Sequence, residues 1–432
     1  MSATAVPGIL VFYYRPDYLL RLKRLAIAAS DLEHIHSFRA HSRFAVWEVN
    51  THLGFPRHLE RAHPTVIFLH NTLWIPAIPM RMTEWLRGVD AYKVAFFHDE
   101  FHFCQERFHF VNDVDVDLIY THVHPEDIPQ VWDRFTPRAT ARFNYPGYVD
   151  RQMVAAAARF ARPDAQRDID VGYRARSLDP YMGSGALEKS LIGDQFKELA
   201  AGAGLTIDID TTEEGRLYGE DWYRFLGRTR VALGVESGTS YIDLEDEVLR
   251  DYEARVEARR PVTLEALQEG PLGRLDHNYS YRTISPRHFE AAAFRICQVL
   301  FEGQYSGVLE PMVHYVPLKK DFSNFEEVIE LIGDKRLREQ IAENAHRDLI
   351  RSGTYSYERF VAGVDDDLSA AGLNPAIAPA QRAKLSLAIQ RSRVWRRAVI
   401  EAKSLSISLL LIIAHRVPRR WRTRLKSLWS SR

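Results

Sequence analysis

The chain has 432 residues, 46% of them hydrophobic and 26% charged, with as many basic as acidic side chains. This composition excludes a largely disordered chain, and the length predicts two α/β domains with additional elements, because one ordinary core is smaller. The two cysteines, Cys104 and Cys297, exclude a disulfide framework, and no Cys/His spacing resembles a zinc site, so a reducing, cytoplasmic compartment is expected. Residues 1–7 lack the basic and apolar regions of a signal peptide, and none is predicted.

Short apolar runs alternate with helical patterns over the first 150 residues. The strand candidates are residues 9–14, 44–49, 65–70, 93–97 and 117–121. Helical patterns lie between them, for example at residues 18–29 and 80–87. This alternation predicts a parallel sheet with helices on both of its faces.

A segment rich in turn signals, residues 143–168, separates this part from a second α/β series and contains a short predicted helix at 151–160. The second series has strand candidates at residues 168–173, 205–210, 230–235, 298–302 and 314–317. Its helix candidates are residues 188–202, 222–227, 286–295, 325–332 and 335–352, with a charged helical insertion at 244–267. The predicted domains are residues 1–160 and 161–372, followed by a helical tail at 373–432. Two doubly wound domains place a ligand in the cleft at the carboxyl ends of their strands.

Several spaced motifs between residues 285 and 360 resemble the motifs of a known enzyme family. They are Arg287-His288-Phe289-Glu290-Ala291, the Tyr-to-Asp segment 315–321, the segment 334–345 with its Ile-Ala-Glu-Asn-Ala end, and the Thr-to-Arg segment 354–359. This stretch resembles the carboxyl-terminal part of GT-B glycosyltransferases, in the bacterial family 1/family 4-like group with a spore-maturation-protein-like domain. The resemblance implies an α/β fold of two Rossmann-like, doubly wound domains facing a cleft.

The resemblance also implies a nucleotide site around residues 285–290. Glu290 matches the family glutamate that accepts hydrogen bonds from the ribose hydroxyls, a task suited to two carboxylate oxygens. Arg287 accompanies it as a donor-binding candidate. The alternative is that Glu290 is an ordinary first-turn glutamate, favoured there by the helix dipole. The chain departs from the family at Arg282, Arg295 and Cys297, which puts the donor sugar and the stereochemistry in doubt.

A diphosphate in such enzymes is held by basic side chains and a helix N-terminus, so no bound metal and no cofactor are expected. Arg174, Arg176 and Lys189 follow the first strand of the second domain and are candidates for this role, near a helix opening around residue 186. The alternative is a solvated charged loop. Ser237 and Gly238 follow another strand of that domain, where small residues either let a ligand approach the backbone or form a simple turn.

In the first domain, His98 and Asp99 follow the fourth strand candidate and are the catalytic candidates. Either could deprotonate an acceptor hydroxyl, and His98 could instead contact the donor sugar. A histidine that caps a helix or packs in the core is the alternative. His102 and His109 lie nearby, and His122 and His124 at the next strand end stay unassigned. No H-E-x-x-H frame supports a metal site.

The end of the chain is strongly basic. Residues 382–432 contain 14 Lys and Arg against one acidic side chain, which leaves 43 basic and 56 acidic side chains before them, a net charge of −13. The uncharged run 404–414 is too short to cross a bilayer. Within 419–429 the side chains of Trp421, Leu425, Leu428 and Trp429 fall on one helical face, a pattern typical of helices in a membrane interface. The tail 404–432 is therefore expected to meet an anionic membrane surface. Packing on the acidic body is the alternative, and no nucleic-acid partner is expected.

Together these observations predict a glycosyltransferase that moves a sugar from a nucleotide-sugar donor to a glycan or lipid-linked acceptor. The expected setting is cell-envelope polysaccharide synthesis at the inner face of the cell membrane. A non-catalytic nucleotide- or glycan-binding protein on the same fold is the alternative. A dinucleotide-dependent enzyme is not favoured, because no G-x-G-x-x-G follows the first strand.

Overall fold

A computed structural model describes residues 6–15, 29–61, 64–279, 281–373 and 379–416. It contains two parallel sheets, each with helices packed against it, and a small two-stranded antiparallel sheet. Two doubly wound domains face a cleft, and a long helix follows them. The α/β fold class expected from the sequence is therefore confirmed.

The first sheet has six parallel strands in the order β2-β1-β3-β4-β5-β6. They are β1 (Val6–Tyr13), β2 (Val46–Asn50), β3 (Pro64–Leu69), β4 (Tyr92–Phe96), β5 (Leu118–Thr121) and β6 (Thr140–Phe143). The five predicted strands are confirmed within a few residues. The edge strand β6 was not predicted, because its side chains alternate between exposed and half-buried positions and form no apolar run.

Three helices of the described residues flank this sheet, namely α1 (Ala29–His41), α2 (Met80–Gly88) and α3 (Cys104–Asp113). The second agrees with the predicted helix at 80–87. The helix predicted at 18–29 falls almost entirely outside the described residues. Phe38 of α1 is buried against Phe68 and Phe96 at ring-centroid distances of 5.0 and 5.4 Å, which fixes α1 on one face of the sheet.

The second sheet has five parallel strands in the order β13-β12-β9-β7-β8. The strands of this half are β7 (Ile169–Arg174), β8 (Ile207–Asp210), β9 (Thr229–Gly234), β10 (Ser237–Thr239), β11 (Tyr281–Thr283), β12 (Cys297–Phe301) and β13 (Val316–Leu318). All five predicted strands of this domain are confirmed with small shifts. β10 and β11, which pair antiparallel with each other, were not predicted, because each has only three residues and pairs with a strand about 40 residues away.

Ten helices accompany this half within the described residues: α4 (Arg151–Phe160), α5 (Ser184–Leu199), α6 (Glu220–Arg228), α7 (Glu247–Glu257), α8 (Leu264–Gln268), α9 (Pro271–Leu275), α10 (Pro286–Ala293), α11 (Phe325–Gly333), α12 (Lys335–Ala345) and α13 (Tyr357–Ala370). The predicted insertion forms α7 and α8. The single helix predicted at 335–352 is α12 followed by a π-helical turn, His346–Arg351. Asp334 caps α12 by accepting from the backbone N–H groups of Arg336 and Leu337.

Two helices cross between the domains. α4 packs on α6 and α10 of the second domain, and Met153 and Ala157 are buried there. α13 returns to the first domain and packs on α1, where Phe360 stacks on Tyr148 with ring centroids 4.5 Å apart. These crossings tie the two sheets together behind the cleft.

The inserted segment between β10 and β11 also reaches the first domain. The Tyr281 hydroxyl donates to the buried Glu100 carboxylate at 3.0 Å, and the Cys104 backbone N–H donates to Asp246 at 3.0 Å. His124 Nε2 donates to the Arg282 carbonyl at 2.5 Å. The insertion therefore joins the two domains along one side of the cleft.

The last described element is α14 (Pro379–Arg416), which packs against β1, β2 and the short helix Arg57–Arg61 of the first domain. Ile389 of α14 is buried in the first domain's core. The helical tail is confirmed as far as Arg416, and the predicted interfacial segment 419–429 lies outside the described residues. Among the helices of the described ranges, none combines the length and apolar character needed to span a bilayer.

Candidate functional site

A cavity of about 870 Å³ lies between the two sheets, at the carboxyl ends of their strands. Both domains contribute to its wall. Asp99 and His102 come from the loop after β4, Arg174 ends β7, and Gly234 ends β9. The strand ends place these side chains here because the carboxyl edges of two doubly wound sheets face each other. The cavity is therefore where the sequence predicts a ligand.

Glu290 lies in the cavity wall, in the second turn of α10. The Ser285 side chain caps this helix by accepting from the Arg287 backbone N–H, so the helix begins at the cavity. Trp222 Nε1 donates to one oxygen of the Glu290 carboxylate at 2.9 Å. Burial raises the pKa of Glu290 to about 7, although the hydrogen bond from Trp222 and the charge of Arg287 act in the opposite direction. The carboxyl is oriented and desolvated, with its second oxygen not used by Trp222.

Three cations, Arg176, Lys189 and Arg287, form another part of the wall. Arg287 lies over the Trp222 ring with its guanidinium carbon 4.9 Å from the ring centroid. Lys189 makes no ion pair with any carboxylate of the described residues. Burial and the nearby charges of Arg282, Arg287 and Arg176 lower the pKa of Lys189 to about 8, while Asp99 acts to raise it. A half-buried ammonium among like charges favours a bound anion.

Arg174 also lies in the wall, but its charge is balanced within the protein. Its guanidinium pairs with Asp208 at 2.6 Å and lies 4.4 Å from the Phe225 ring centroid. The backbone carbonyl of Arg174 accepts a hydrogen bond from Arg287. Arg174 therefore positions Arg287, and its own guanidinium is less available to an anion than those of Arg176 and Arg287.

Ser237 and Gly238 do not line the cavity, since they form β10 and pair with β11. Gly238 has a φ of +87°, and a Cβ atom there would lie 1.8 Å from the Tyr281 carbonyl oxygen. The backbone that comes close to Gly238 is therefore that of the neighbouring strand β11, and not a ligand. This contact explains why a glycine is needed at position 238.

The helix start that meets the cavity is that of α10, whose Ser285, Pro286 and Arg287 line the wall. The helix predicted from the sequence to take this role, which opens near residue 186, is α5. Backbone groups in the first turn of α5 are instead hydrogen-bonded to other side chains of the protein. The Gly185 N–H donates to Ser240 Oγ at 3.2 Å, and Arg282 donates to the Gly185 carbonyl at 2.5 Å.

Of the two catalytic candidates, Asp99 lines the cavity and His98 does not. Asp99 has a left-handed backbone with φ of 51°. Arg107 holds this loop by donating to the carbonyls of His98 at 3.1 Å and Asp99 at 3.0 Å. His98 packs against the His122 ring with centroids 4.2 Å apart, and burial together with His122 lowers the pKa of His98 well below its ordinary value. The loop geometry points Asp99 rather than His98 towards a ligand.

Two histidines near this loop, His102 and His122, have lowered pKa values. His122 Nδ1 donates to the Asn144 carbonyl at 2.6 Å, and burial lowers the pKa of His122. His102 lines the cavity, and burial and Arg107 lower its pKa to about 4. Within the part of the chain that the structure describes, no three His, Cys, Asp or Glu side chains are arranged to hold a metal ion.

Two further residues line the cavity, Glu33 of α1 and Asp150, and neither is predicted from the sequence as a site residue. Burial and a hydrogen bond with Asp150 raise the pKa of Glu33 to about 9, so Glu33 carries the shared proton, and Glu290 lies close enough to raise it further. Asp150 also caps α4 by accepting from the Met153 N–H at 2.8 Å. An Asp directly before a helical run predicts the cap from the sequence, but the proximity of Asp150 to Glu33 depends on the packing of α1.

No protein-family model matches the chain, and no curated protein matches its sequence. Solved structures with a similar fold include an α-glucosyltransferase in complex with UDP and a 13-mer DNA, with 12% identity, coverage of 84% of this chain and 99% of that chain, and a TM-score of 0.47. Anabaena HepE in complex with UDP has 12% identity, coverage of 84% and 100%, and a TM-score of 0.47. A Rickettsia africae glycosyltransferase has 10% identity, coverage of 84% and 97%, and a TM-score of 0.46.

Proposed function

We propose that the chain is a glycosyltransferase that binds a nucleotide-sugar donor in the cavity between its two sheets. The observation that carries the proposal is the pairing, in one wall, of an oriented carboxyl at a helix start with a lysine that lacks an acidic partner among the described residues. These are Glu290 and Lys189, whose side chain is half-buried in the cavity wall. A nucleoside diphosphate needs both groups, since it combines a ribose diol with a multiply charged anion.

The nucleoside end is assigned to Glu290. Trp222 occupies one carboxylate oxygen at 2.9 Å and leaves the other to accept from the ribose hydroxyls. The loop after β8 contributes Leu217 and Tyr218 to the same wall, which supplies apolar surface for a base. A ribose diol donates to the ionised carboxyl, so binding lowers the raised pKa of Glu290.

The diphosphate is assigned to Lys189, Arg176 and Arg287. As the bond between the anomeric carbon and the diphosphate oxygen breaks, negative charge grows on the leaving group. Cations already placed in the cavity wall stabilise that charge. This part of the proposal requires no metal ion.

The acceptor is assigned to the first domain's side of the cavity. Its hydroxyl oxygen forms the new bond to the anomeric carbon, and its proton passes to a base of the loop after β4. Asp99 lines the cavity and is the base proposed to take the proton, whereas His98 lies behind it and burial lowers its pKa, which disfavours protonation there. The products are a glycoside and a free nucleoside diphosphate.

A glycan or lipid-linked molecule of the cell envelope is the proposed acceptor class, and the inner face of the membrane is the proposed location. Support comes from the basic tail, since residues 417–432 contain six Arg and Lys and no acidic side chain. Basic residues close to an anionic surface contribute about 1 kcal/mol each.

The test is release of free nucleoside diphosphate from a panel of nucleotide sugars, with glycan, lipid-linked and DNA acceptors. DNA is included because the α-glucosyltransferase named above was solved with it. Turnover that is lost in Glu290→Ala and Lys189→Met, and kept in Lys197→Met on the exposed side of α5, supports the proposal. If nucleotides raise the melting temperature but no donor turns over, the chain is a binding protein. If nucleotides have no effect at all, the cavity assignment fails.

A further inference from the structure

Helix α14 has two apolar stripes on opposite sides. Ile389, Arg396 and Ile400 are buried and face the first domain. The second, outer stripe consists of Leu387, Val394 and Leu405, which are 49%, 67% and 64% exposed, and Trp395, which is 55% exposed, borders it. Leu387 lies two residues before Ile389, Val394 lies five residues after Ile389, and Leu405 lies five residues after Ile400. At 100° per residue, these spacings place the three side chains about 200° or 140° around the helix from the buried stripe.

The outer stripe is long and straight. Leu387 and Leu405 are 18 residues apart, which corresponds to about 27 Å along a helix. Ala398 and Ala402 continue it between Val394 and Leu405, and both are exposed. A line of apolar side chains of this length on a helix already packed on a domain fits a flat partner.

The charges around the stripe identify that partner. Arg391 lies on the same side and Arg397 borders it, and both are exposed. Glu401, the one acidic residue between positions 382 and 432, lies on this side too, so these two arginines outnumber it. Exposed Trp and Leu side chains bordered by arginines are characteristic of helices that lie in the interface of an anionic bilayer.

A second copy of the chain fits the stripe less well. Four partly exposed side chains on one helix offer a few hundred Å², whereas a stable interface buries about 800 Å² on each partner. The stripe is therefore too narrow to hold a dimer by itself, but an interfacial helix needs no larger apolar face.

The orientation of α14 connects this surface to the cleft. Trp47 Nε1 in β2 donates to Ser386 Oγ at 3.2 Å, and Arg396 pairs with His52, just after β2, at 3.1 Å. The helix therefore runs in the same direction as β2, towards the carboxyl edge where the cavity lies. It continues about 30 Å beyond Arg396 to Arg416.

We propose that the outer stripe of α14 docks on an anionic lipid surface and holds the carboxyl edge of the first domain next to it. This extends the membrane association proposed for the charged end of the chain to a defined apolar face. It does not depend on the nucleotide site. An acceptor with a lipid anchor would then reach the cleft from the membrane plane.

The experiment is sedimentation of the full chain with vesicles of phosphatidylcholine, with and without 30% phosphatidylglycerol. The stripe variant Val394→Ser/Trp395→Ser/Leu405→Ser keeps every charge. Its matched control is Leu191→Ser/Leu199→Ser/Val256→Ser, which removes exposed apolar side chains from other helices. We expect the wild type and the control to bind the anionic vesicles, and the stripe variant to bind at least tenfold more weakly.

A third variant, with Arg419, Arg420, Arg422 and Arg424 changed to Gln, separates the charged end from the stripe. If only this variant loses binding, or if the wild type binds no vesicle, the proposed docking of the stripe is overturned. It is also overturned if light scattering shows a dimer that the stripe variant converts to a monomer. UDP-induced thermal shifts of the same proteins report on the nucleotide site separately, so a failure there is distinguishable from a failure at the membrane.

Discussion

Replacing Lys189 by methionine removes a half-buried positive charge from the cavity wall and preserves most of the side chain's length. The pKa of Lys189 is lowered from 10.5 to about 8, first by burial and then by Arg282, Arg287 and Arg176. A bound diphosphate opposes these effects. If it restores the ordinary pKa, it binds the charged lysine about 3 kcal/mol more tightly than the neutral one, on the order of 100-fold in Kd. Lys189→Met should therefore weaken UDP binding by this order.

The pH dependence follows from the same shift. In the free protein Lys189 loses its proton as the pH rises through about 8, so UDP affinity should fall above pH 8 in the wild type and stay level in Lys189→Met. At pH 8 binding should take up about half a proton. Isothermal titration calorimetry in buffers of different ionisation enthalpy measures both the affinity and the proton uptake.

The same variant should gain stability without ligand. The folded-state pKa lies below the unfolded one, so the unfolded chain binds more protons between about pH 8 and 10.5, and stability rises with pH over that window. Below pH 8 the charged lysine destabilises the fold, and Lys189→Met should melt higher than the wild type while its UDP-induced shift shrinks. Lys197→Met, with the same charge change on the same helix, should alter neither. Unchanged UDP affinity and an unchanged pH profile in Lys189→Met would refute the assignment.

Four further predictions concern the cavity and its support. Glu290→Gln should weaken UDP binding by about 2 kcal/mol, roughly 30-fold, and abolish the loss of affinity that titration calorimetry should show in the wild type as the pH falls below about 7. Trp222→Phe should weaken UDP binding less, because the carboxylate remains but loses its orienting donor. Glu33 has a raised pKa, so the folded state binds more protons between about pH 4.5 and 9 and stability falls as the pH rises; melting curves of Glu33→Gln should depend less on pH in that window. Gly238→Ala should destabilise the fold by roughly 1–3 kcal/mol in chemical unfolding, because its φ of +87° and the Tyr281 carbonyl both oppose a side chain, yet leave the UDP-induced thermal shift in place.

Apolar patterning was sufficient for the parts of the fold that depend on local sequence. Ten strands of the two parallel sheets were predicted within a few residues, because buried parallel strands read as short continuous apolar runs. The strand β6, with its alternating exposed positions, and the three-residue strands β10 and β11 have no such run. Pairing between distant residues determines them, and periodicity does not report it.

The candidate site divides in the same way. Asp99, Arg176 and Lys189 were found because they follow strands, and the carboxyl ends of strands meet at the cleft in this architecture. Their partners depend on tertiary contacts. Arg174 pairs with Asp208, and Gly238 lies against Tyr281. Because these contacts are within the protein, both residues are weaker candidates for ligand binding than the sequence predicts.

The sequence by itself determined the fold class, the existence of two domains, the cleft between them and the helix that carries Glu290. Only the tertiary structure decided that Trp222 orients that carboxyl, that Glu33 lies against Asp150, and that one side of α14 remains uncovered. Chain-local patterns reflect which side chains avoid water. Which buried group meets which, and which apolar face finds no partner, depends on how helices from distant parts of the chain pack together.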